Sequence, residues 1–165
     1  MKKIFIILIS VLLVIMQLTV TSHFKFFGYN YGLIFVAVIV VGCIYDFKTS
    51  LINALVSGVF LDTFYSLHYG VNIVLFLTIA VITFFVSDYM YKGNLVTCMV
   101  ITFILTILSE ILMYYILVSA NSISSLSFII THFVLPQAFL NTFVSVIIFG
   151  IYKLLYKKLK LDRQW

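Results

Sequence analysis

Charged residues are scarce in this chain of 165 residues. They make up 9% of the sequence, whereas hydrophobic residues make up 64%, and ordinary soluble domains carry roughly 25% charged residues. A water-soluble globular protein needs a more polar surface, so the composition excludes that class and also excludes intrinsic disorder. The apolar runs are about twenty residues long and do not alternate, which disfavours a transmembrane barrel. What remains is an all-α membrane protein that crosses the bilayer several times.

The residues and motifs of the common catalytic centres are also missing. The sequence has five acidic residues, three scattered histidines and two cysteines, Cys43 and Cys98, without a metal-ligand spacing between them. It contains neither a His-Glu-x-x-His pair nor a Gly-x-Ser-x-Gly elbow nor a glycine-rich phosphate loop. The longest loop, 119–127, leaves no room for a soluble catalytic domain. We therefore predict no enzymatic activity, no metal and no cofactor, and we expect no disulfide.

Six apolar runs are long enough to cross a hydrocarbon core of roughly 30 Å. We interpret the whole chain, 1–165, as one membrane domain, a six-helix bundle followed by a basic tail at 153–165. The third and fourth runs are separated only by a short turn at 67–70. The predicted spans are about 4–22, 26–45, 50–67, 70–87, 94–118 and 128–152.

The lysines and arginines favour this count. With a cytoplasmic N-terminus and six crossings, every basic residue except Lys25 falls on the cytoplasmic side, as the positive-inside rule requires. Merging the third and fourth runs would place Lys92 and the basic tail outside. The net charge of +5 therefore reports topology in the membrane and does not indicate nucleic-acid binding. The first run is expected to remain as a helix, although Lys2, Lys3 and the small residues near Ser22 also suit a signal peptide.

Three ionisable residues fall inside the predicted spans, all in the outer half of the bilayer. They are Asp62, Glu110 and His132, with Asn72 nearby and two amides, Gln137 and Asn141, deeper. Ionisable groups at such positions are functional candidates. One interpretation is a polar cavity that opens outward and binds a ligand or a partner helix. The other is that these groups pair with one another and hold the bundle together.

Glycine and proline mark three positions in these spans. Gly58 lies one helical turn before Asp62 on the same face, which predicts that this face packs closely against another helix. Gly70 suits the tight turn between the third and fourth spans. Pro136 is predicted to kink the sixth span, either as a fixed bend or as a mobile hinge. Gln137 and Asn141 are near enough to satisfy the carbonyl that the proline leaves without a partner.

The C-terminal tail combines apolar and basic residues at helical spacing. It is predicted to lie along the inner membrane surface and to contact anionic lipids. The alternative is a docking site for a cytoplasmic protein. The basic residues concerned are Lys153, Lys157, Lys158, Lys160 and Arg163.

Residues 52–80, INALVSGVFLDTFYSLHYGVNIVLFLTIA, resemble the bacterial rod shape-determining protein MreD family. Members carry a Gly-x-x-x-Asp element on one helix, a short turn, and then a helix that contains asparagine. Gly58, Asp62, Gly70 and Asn72 match these positions, while Tyr69 replaces a leucine that is common in the turn. The length, hydropathy and short loops of the chain also agree with the family.

The resemblance implies a non-enzymatic membrane component of the cell-elongation machinery (the elongasome). Family members work with the outside-facing scaffold MreC. Together they link cytoplasmic MreB filaments to the peptidoglycan polymerase and transpeptidase, and so control cell shape. The basic tail would then contact a cytoplasmic partner or lipid, and the polar groups near Asp62 would contact MreC or a ligand.

A transporter is the alternative class. Substrate-binding components of energy-coupling-factor vitamin transporters are also small, loop-poor six-span proteins, and the MreD family looks distantly similar to that fold. Such components carry an Ala-x-x-x-Ala surface on an early helix, but the first span, 4–22, contains no alanine. A small lipid-binding or assembly factor is a third possibility.

Overall fold

A computed structural model describes residues 8–13, 15–17, 32–65, 70–90, 92–117 and 130–158. These residues are helical apart from short turns, and no strand occurs among them, which confirms the all-α class. A π-helical turn, Ile130–Val134, runs directly into the last helix. The helices are α1 (Leu8–Gln17), α2 (Leu33–Ile44), α3 (Phe47–Tyr65), α4 (Val71–Tyr89), α5 (Leu95–Leu117) and α6 (Leu135–Lys158).

Helix α2 forms the centre of the bundle. Ten of its twelve residues are buried, and α3, α4, α5 and α6 all contact it. A helix that is apolar on every face is suited to the core of a protein or to a membrane, and the LIFVAVIVVGCI sequence of α2 has that character. The described part of α2 is about 18 Å long at 1.5 Å per residue. The start of the predicted span 26–45 lies outside the described residues.

Helices α3 and α4 form an antiparallel hairpin built on small side chains. Ser50, Ala54 and Gly58 recur every fourth residue of α3 and are all buried. Ala80 and Thr83 of α4 are fully buried as well. Small residues allow two helix backbones to approach closely, which is how helices commonly associate in membranes.

Among the described residues, three helices are long and apolar enough to cross a membrane by length and composition, namely Val71–Tyr89, Leu95–Met113 and Ile130–Lys157. Helix α3 has nineteen residues but is more polar, because it carries Lys48, Asn53 and Asp62. These helices fall close to the predicted spans 50–67, 70–87, 94–118 and 128–152. The six crossings and their orientation remain predictions.

One end of the bundle gathers the described lysines. The Gly93 N–H donates to the Cys43 carbonyl over 3.0 Å, and Lys153 Nζ lies 3.5 Å from the Gly93 carbonyl. Lys92 Nζ lies 3.8 Å from the centre of the Phe84 ring. We call this the basic end. The opposite end holds the start of α2 and the turn between α3 and α4, and we call it the polar end.

Large apolar side chains cover the outside of the bundle. Val74, Phe85 and Phe143 are exposed by 65%, 62% and 73%. Exposed apolar patches of this extent are rare on soluble monomers. They suit a protein whose surroundings are lipid tails, so the exterior agrees with the composition.

The two cysteines are closer together than the sequence indicates. Both are buried free thiols, and the Cys43 side chain lies within hydrogen-bond reach of Cys98. The pair joins the end of α2 to the start of α5. A sequence separation of 55 residues hides this contact from an analysis of the sequence.

Candidate functional site

Asp62 lies at the turn between α3 and α4, and its carboxylate accepts four hydrogen bonds. Oδ2 accepts from the backbone N–H of Gly70 over 3.0 Å and of Ile73 over 3.1 Å. Oδ1 accepts from the Asn72 backbone N–H over 3.2 Å and from Asn72 Nδ2 over 2.8 Å. Asp62 is 3% exposed. We call Asp62, Gly70, Asn72 and Ile73 the Asp62 clamp.

The clamp satisfies the free N–H groups at the start of α4. The first N–H groups of any α-helix have no partner within the helix, and a side chain at the N-cap position usually accepts from one of them. The N-cap here is Gly70, which has no side chain and has φ of +94°, so Asp62 of α3 takes over that role. A carboxylate at a helix N-terminus also interacts favourably with the helix dipole.

Gly58 makes the close approach behind the clamp possible. A Cβ atom added to Gly58 would lie 2.7 Å from the Ile73 Cα and 3.2 Å from the Ile73 N. The neighbouring atoms belong to a backbone, which cannot move away as a side chain end can. The glycine therefore sets the distance between the two helices, and this distance lets Asp62 reach the α4 backbone.

A polar cavity of about 180 Å³ lies next to the clamp at the polar end. Such a cavity needs only roughly 10–15 Å³ to hold one water, so this one has room for a small chemical group. Asn72 belongs both to the clamp and to the cavity wall. We call it the Glu110 cavity, and its lining residues are Gln17, Gly32, Phe35, Leu61, Asn72, Leu75, Phe76, Ser109, Glu110, Met113, Gln137 and Asn141.

Glu110 is the acidic group of this cavity. Gln137 Nε2 donates to Glu110 Oε1 over 2.6 Å, and none of the residues that line the cavity is basic. The contrast with Asp62 is clear, because three backbone N–H groups and one amide surround that carboxylate. A carboxylate away from water is stabilised by a cation or by several donors, so Glu110 has capacity for a further donor.

Two amides from other helices cap the start of α2 at the same cavity. The Gly32 N–H donates to Asn141 Oδ1 over 3.1 Å, and the Ile34 N–H donates to Gln17 Oε1 over 2.7 Å. Two helix N-termini, those of α2 and α4, are therefore capped by side chains from elsewhere in the bundle. Gln137 bonds to Glu110 and Asn141 bonds to Gly32, and their role at the carbonyl freed by Pro136 stays a prediction.

His132 does not join the cavity. It lies in the π-helical turn, is exposed, and pairs through Nδ1 with Thr131 Oγ1 at 2.9 Å. Pro136 follows this turn immediately, as the second residue of α6. A proline that lacks its N–H and a π-helical turn both depart from regular α-helical hydrogen bonding. His132 lies on the outside of the bundle, whereas Gln137, five residues later, lines the cavity.

The structure describes only part of the basic tail. Helix α6 continues to Lys158, with Lys153 and Lys157 exposed. Leu154 is 70% exposed. Lys160, Arg163 and the rest of the tail lie outside the described residues.

Gln17 is the cavity residue that sequence reasoning missed. It lies near the end of the first apolar run, where a glutamine is not unusual because polar residues are common at the ends of membrane spans. One signal was available, namely that Gln17 is the only strongly polar residue within positions 4–18 apart from Ser10. No group of three or more His, Cys, Asp or Glu side chains that could hold a metal occurs among the described residues.

The fold and the site define a helical membrane protein in which Asp62, Glu110 and Asn141 lie at one end of the bundle. The family model of the rod shape-determining protein MreD matches residues 1–159, so the chain belongs to the MreD family. No curated protein and no solved structure matches the chain. Membership makes it a membrane component of the rod-shape machinery, associated with the MreBCD system.

Proposed function

We propose that the protein is a non-enzymatic scaffold of cell elongation, which bridges MreC and the wall-synthesis enzymes outside with MreB in the cytoplasm. The family match over residues 1–159 carries this proposal. The described residues support it, because they form a bundle in which the polar groups serve helix ends. A scaffold of this kind acts through its surfaces, and the two ends of the bundle offer different ones.

The proposed topology has six spans with both termini in the cytoplasm. Lys92 and Lys153 lie together at the basic end, and basic residues favour the cytoplasmic side. The polar end, with Asp62 and Glu110, would then face outward. This orientation places the two ends where an inside partner and an outside partner could reach them.

The basic end and tail are the proposed cytoplasmic contact. Lys153 and Lys157 are exposed on α6, and each basic residue near an anionic membrane surface contributes about 1 kcal/mol of attraction. Lipid contact and contact with a cytoplasmic protein use the same charges. We propose both for Lys153, Lys157, Lys158, Lys160 and Arg163.

The polar end is the proposed contact for MreC. The Asp62 clamp ties the end of α3 to the start of α4 at that end of the bundle. Asp62 therefore acts as a positioning residue rather than as a direct contact, because its carboxylate is already engaged in four hydrogen bonds. Loss of Asp62 should disturb assembly more than loss of Glu110.

A pull-down tests the proposal. The tagged protein is purified in mild detergent from its native membrane, and the proteins that accompany it are identified by mass spectrometry. Recovery of MreC with wall-synthesis enzymes is the expected result. Recovery of an ATPase pair with a coupling membrane subunit would contradict it and would indicate a vitamin transporter component.

A complementation experiment tests the role of Asp62. In cells that lack the native protein, Asp62→Ala is expected to leave cells rounded and to lower recovery of MreC several-fold. Asp88→Ala is the matched control, because Asp88 is an exposed carboxylate on α4 whose ion pair among the described residues is with Lys92 in the next turn, at 3.6 Å. An Asp62→Ala protein that is produced normally and fully restores rod shape would refute this role.

A further inference from the structure

The surface beside the Glu110 cavity carries an apolar groove between α4 and α5. It encloses about 550 Å³. Val71, Val74 and Ile82 of α4 and Leu105 and Leu108 of α5 form its walls. Val74 and Leu108 are exposed by 65% and 51%, so the groove is open to the lipid phase.

The groove and the cavity adjoin each other. Leu75 and Ser109 line both, and the groove begins at Gly70 and Val71, which are at the polar end as well. A cavity that contains a carboxylate therefore lies directly beside an apolar groove. This order, polar head and then apolar body, is that of an amphipathic molecule.

The length of the groove matches one leaflet. Along α4 it runs from Val71 to Ile82, which is about 16 Å at 1.5 Å per residue. One leaflet contributes half of a hydrocarbon core of roughly 30 Å. An acyl chain of a lipid in the same leaflet as the polar end would lie along the groove over its whole length.

The charge of the cavity favours a cationic headgroup on the bound molecule. Glu110 has one hydrogen bond among the described residues, from Gln137, and none of the lining residues is basic. An anionic head would be repelled by this carboxylate, whereas an ammonium group would supply both the opposite charge and N–H donors. Charge-assisted hydrogen bonds of this kind are roughly twice as strong as neutral ones.

We propose that the Glu110 cavity and the α4–α5 groove together form a binding site for a membrane lipid with a primary ammonium headgroup. The ammonium donates to Glu110 and to the Gln137 side-chain carbonyl, while one acyl chain lies between α4 and α5. The Asn141 amide, which lines the cavity, offers a donor to the phosphate behind the ammonium. This site goes beyond the scaffold role, which does not require a lipid.

The test is native mass spectrometry of the full chain in nanodiscs. The nanodiscs contain equal amounts of phosphatidylethanolamine, phosphatidylcholine and phosphatidylglycerol, and the lipids that stay bound after release are counted. The expected result is a preference for phosphatidylethanolamine of about tenfold, which corresponds to roughly 1.4 kcal/mol. Phosphatidylcholine is the informative comparison, because its quaternary ammonium has the charge but no N–H donor.

Three variants separate the head from the chain. Glu110→Gln is expected to abolish the preference among headgroups. Leu108→Trp fills the groove and is expected to lower retention of every lipid several-fold. Ile104→Trp is its matched control, since Ile104 lies one turn away on α5, is exposed by 53% and does not line the groove. Unchanged elution on size exclusion shows that each variant is folded.

Three outcomes would overturn the proposal. The first is equal retention of the three lipids by the unmodified protein. The second is the same headgroup preference in Glu110→Gln. The third is a dimer that carries no lipid and is lost in Leu108→Trp, which would make the groove a contact between two copies of this chain. None of these results affects the pull-down of MreC, so the scaffold proposal is tested separately.

Discussion

Asp62 shows how one side chain can determine a local fold inside a membrane. Its two oxygens accept from three backbone N–H groups and one amide, in a position that is 3% exposed. Hydrogen bonds to a charged group each contribute about 1.5–3 kcal/mol. The aspartate of the family motif is therefore explained first by the turn it stabilises.

Replacing Asp62 by alanine is expected to destabilise the protein by at least about 3 kcal/mol, because several buried N–H groups lose their partner at once. Asp62→Asn should lose less, since its amide keeps one acceptor oxygen. The measurement is the thermal unfolding midpoint in detergent at a fixed scan rate. Equal midpoints for Asp62→Ala and the unmodified protein would show that the clamp does not stabilise α4.

Gly58 and Gly150 allow the effect of Gly→Ala on stability to be compared at a closely packed position and at an open one. A Cβ at Gly58 would meet the Ile73 backbone at 2.7 Å, whereas a Cβ at Gly150 meets nothing within 4 Å. Gly58→Ala is expected to lower stability by about 1–3 kcal/mol through overpacking. Gly150→Ala should be neutral or stabilising by up to about 1 kcal/mol, because alanine favours a helix more than glycine does. Thermal unfolding midpoints that change by the same amount in both variants would contradict the close approach of α3 and α4 at Gly58.

At the scale of elements, two helices need acceptors from elsewhere in the bundle for the free N–H groups at their starts. Helices α2 and α4 both begin with a glycine N-cap and without a side-chain cap of their own. Lipid tails supply no acceptor for free N–H groups, so the protein itself has to supply the acceptors. Asp62 caps α4, while Gln17 and Asn141 cap α2.

Asn141→Leu tests the cap of α2. Asn141 is 2% exposed, and leucine keeps a similar volume but removes the acceptor of the Gly32 N–H. The expected loss of stability is about 1–3 kcal/mol, the cost of an unsatisfied buried donor. Thr142→Val is the control, because Thr142 Oγ1 bonds only to the Ala138 carbonyl of its own helix. If both variants unfold at the same temperature, the Asn141 cap does not contribute to the stability of the protein.

At the scale of the whole molecule, the distribution of charge predicts the orientation in the membrane. Lys92 and Lys153 meet at one end, and Asp62 and Glu110 lie near the other. The positive-inside rule assigns the basic end to the cytoplasm. The polar end is then predicted to face outward, on the side that the sequence predicts for residues 119–127.

Cysteine labelling tests this orientation. With a membrane-impermeant thiol reagent on intact cells, Ser122→Cys is expected to react, whereas a cysteine at Gln164 should react only after the membrane is opened. Cys43 and Cys98 are buried, so the unmodified protein should give little background. The reverse labelling pattern would refute both the six spans and the cytoplasmic termini.

The sequence was most informative where a single helix or turn decides the outcome. The hairpin of α3 and α4, the turn at Gly70 and the inward face of Gly58 all follow from local spacing. The sequence was least informative where partners are distant. Glu110 meets Gln137 across 27 residues, and Gln17 meets Ile34 across a stretch that local patterns do not link.

By itself, the sequence determined that this is an all-α membrane protein of the MreD family, because hydropathy and a short motif depend only on which residues are present and how they are spaced. The tertiary structure decided what the polar residues do. In the folded protein, Asp62 binds the start of α4 and His132 lies on the outside of the bundle. Glu110 lines a cavity and has one hydrogen-bond partner among the described residues. Such assignments depend on which helices become neighbours, and helix packing brings together residues that are far apart in the chain.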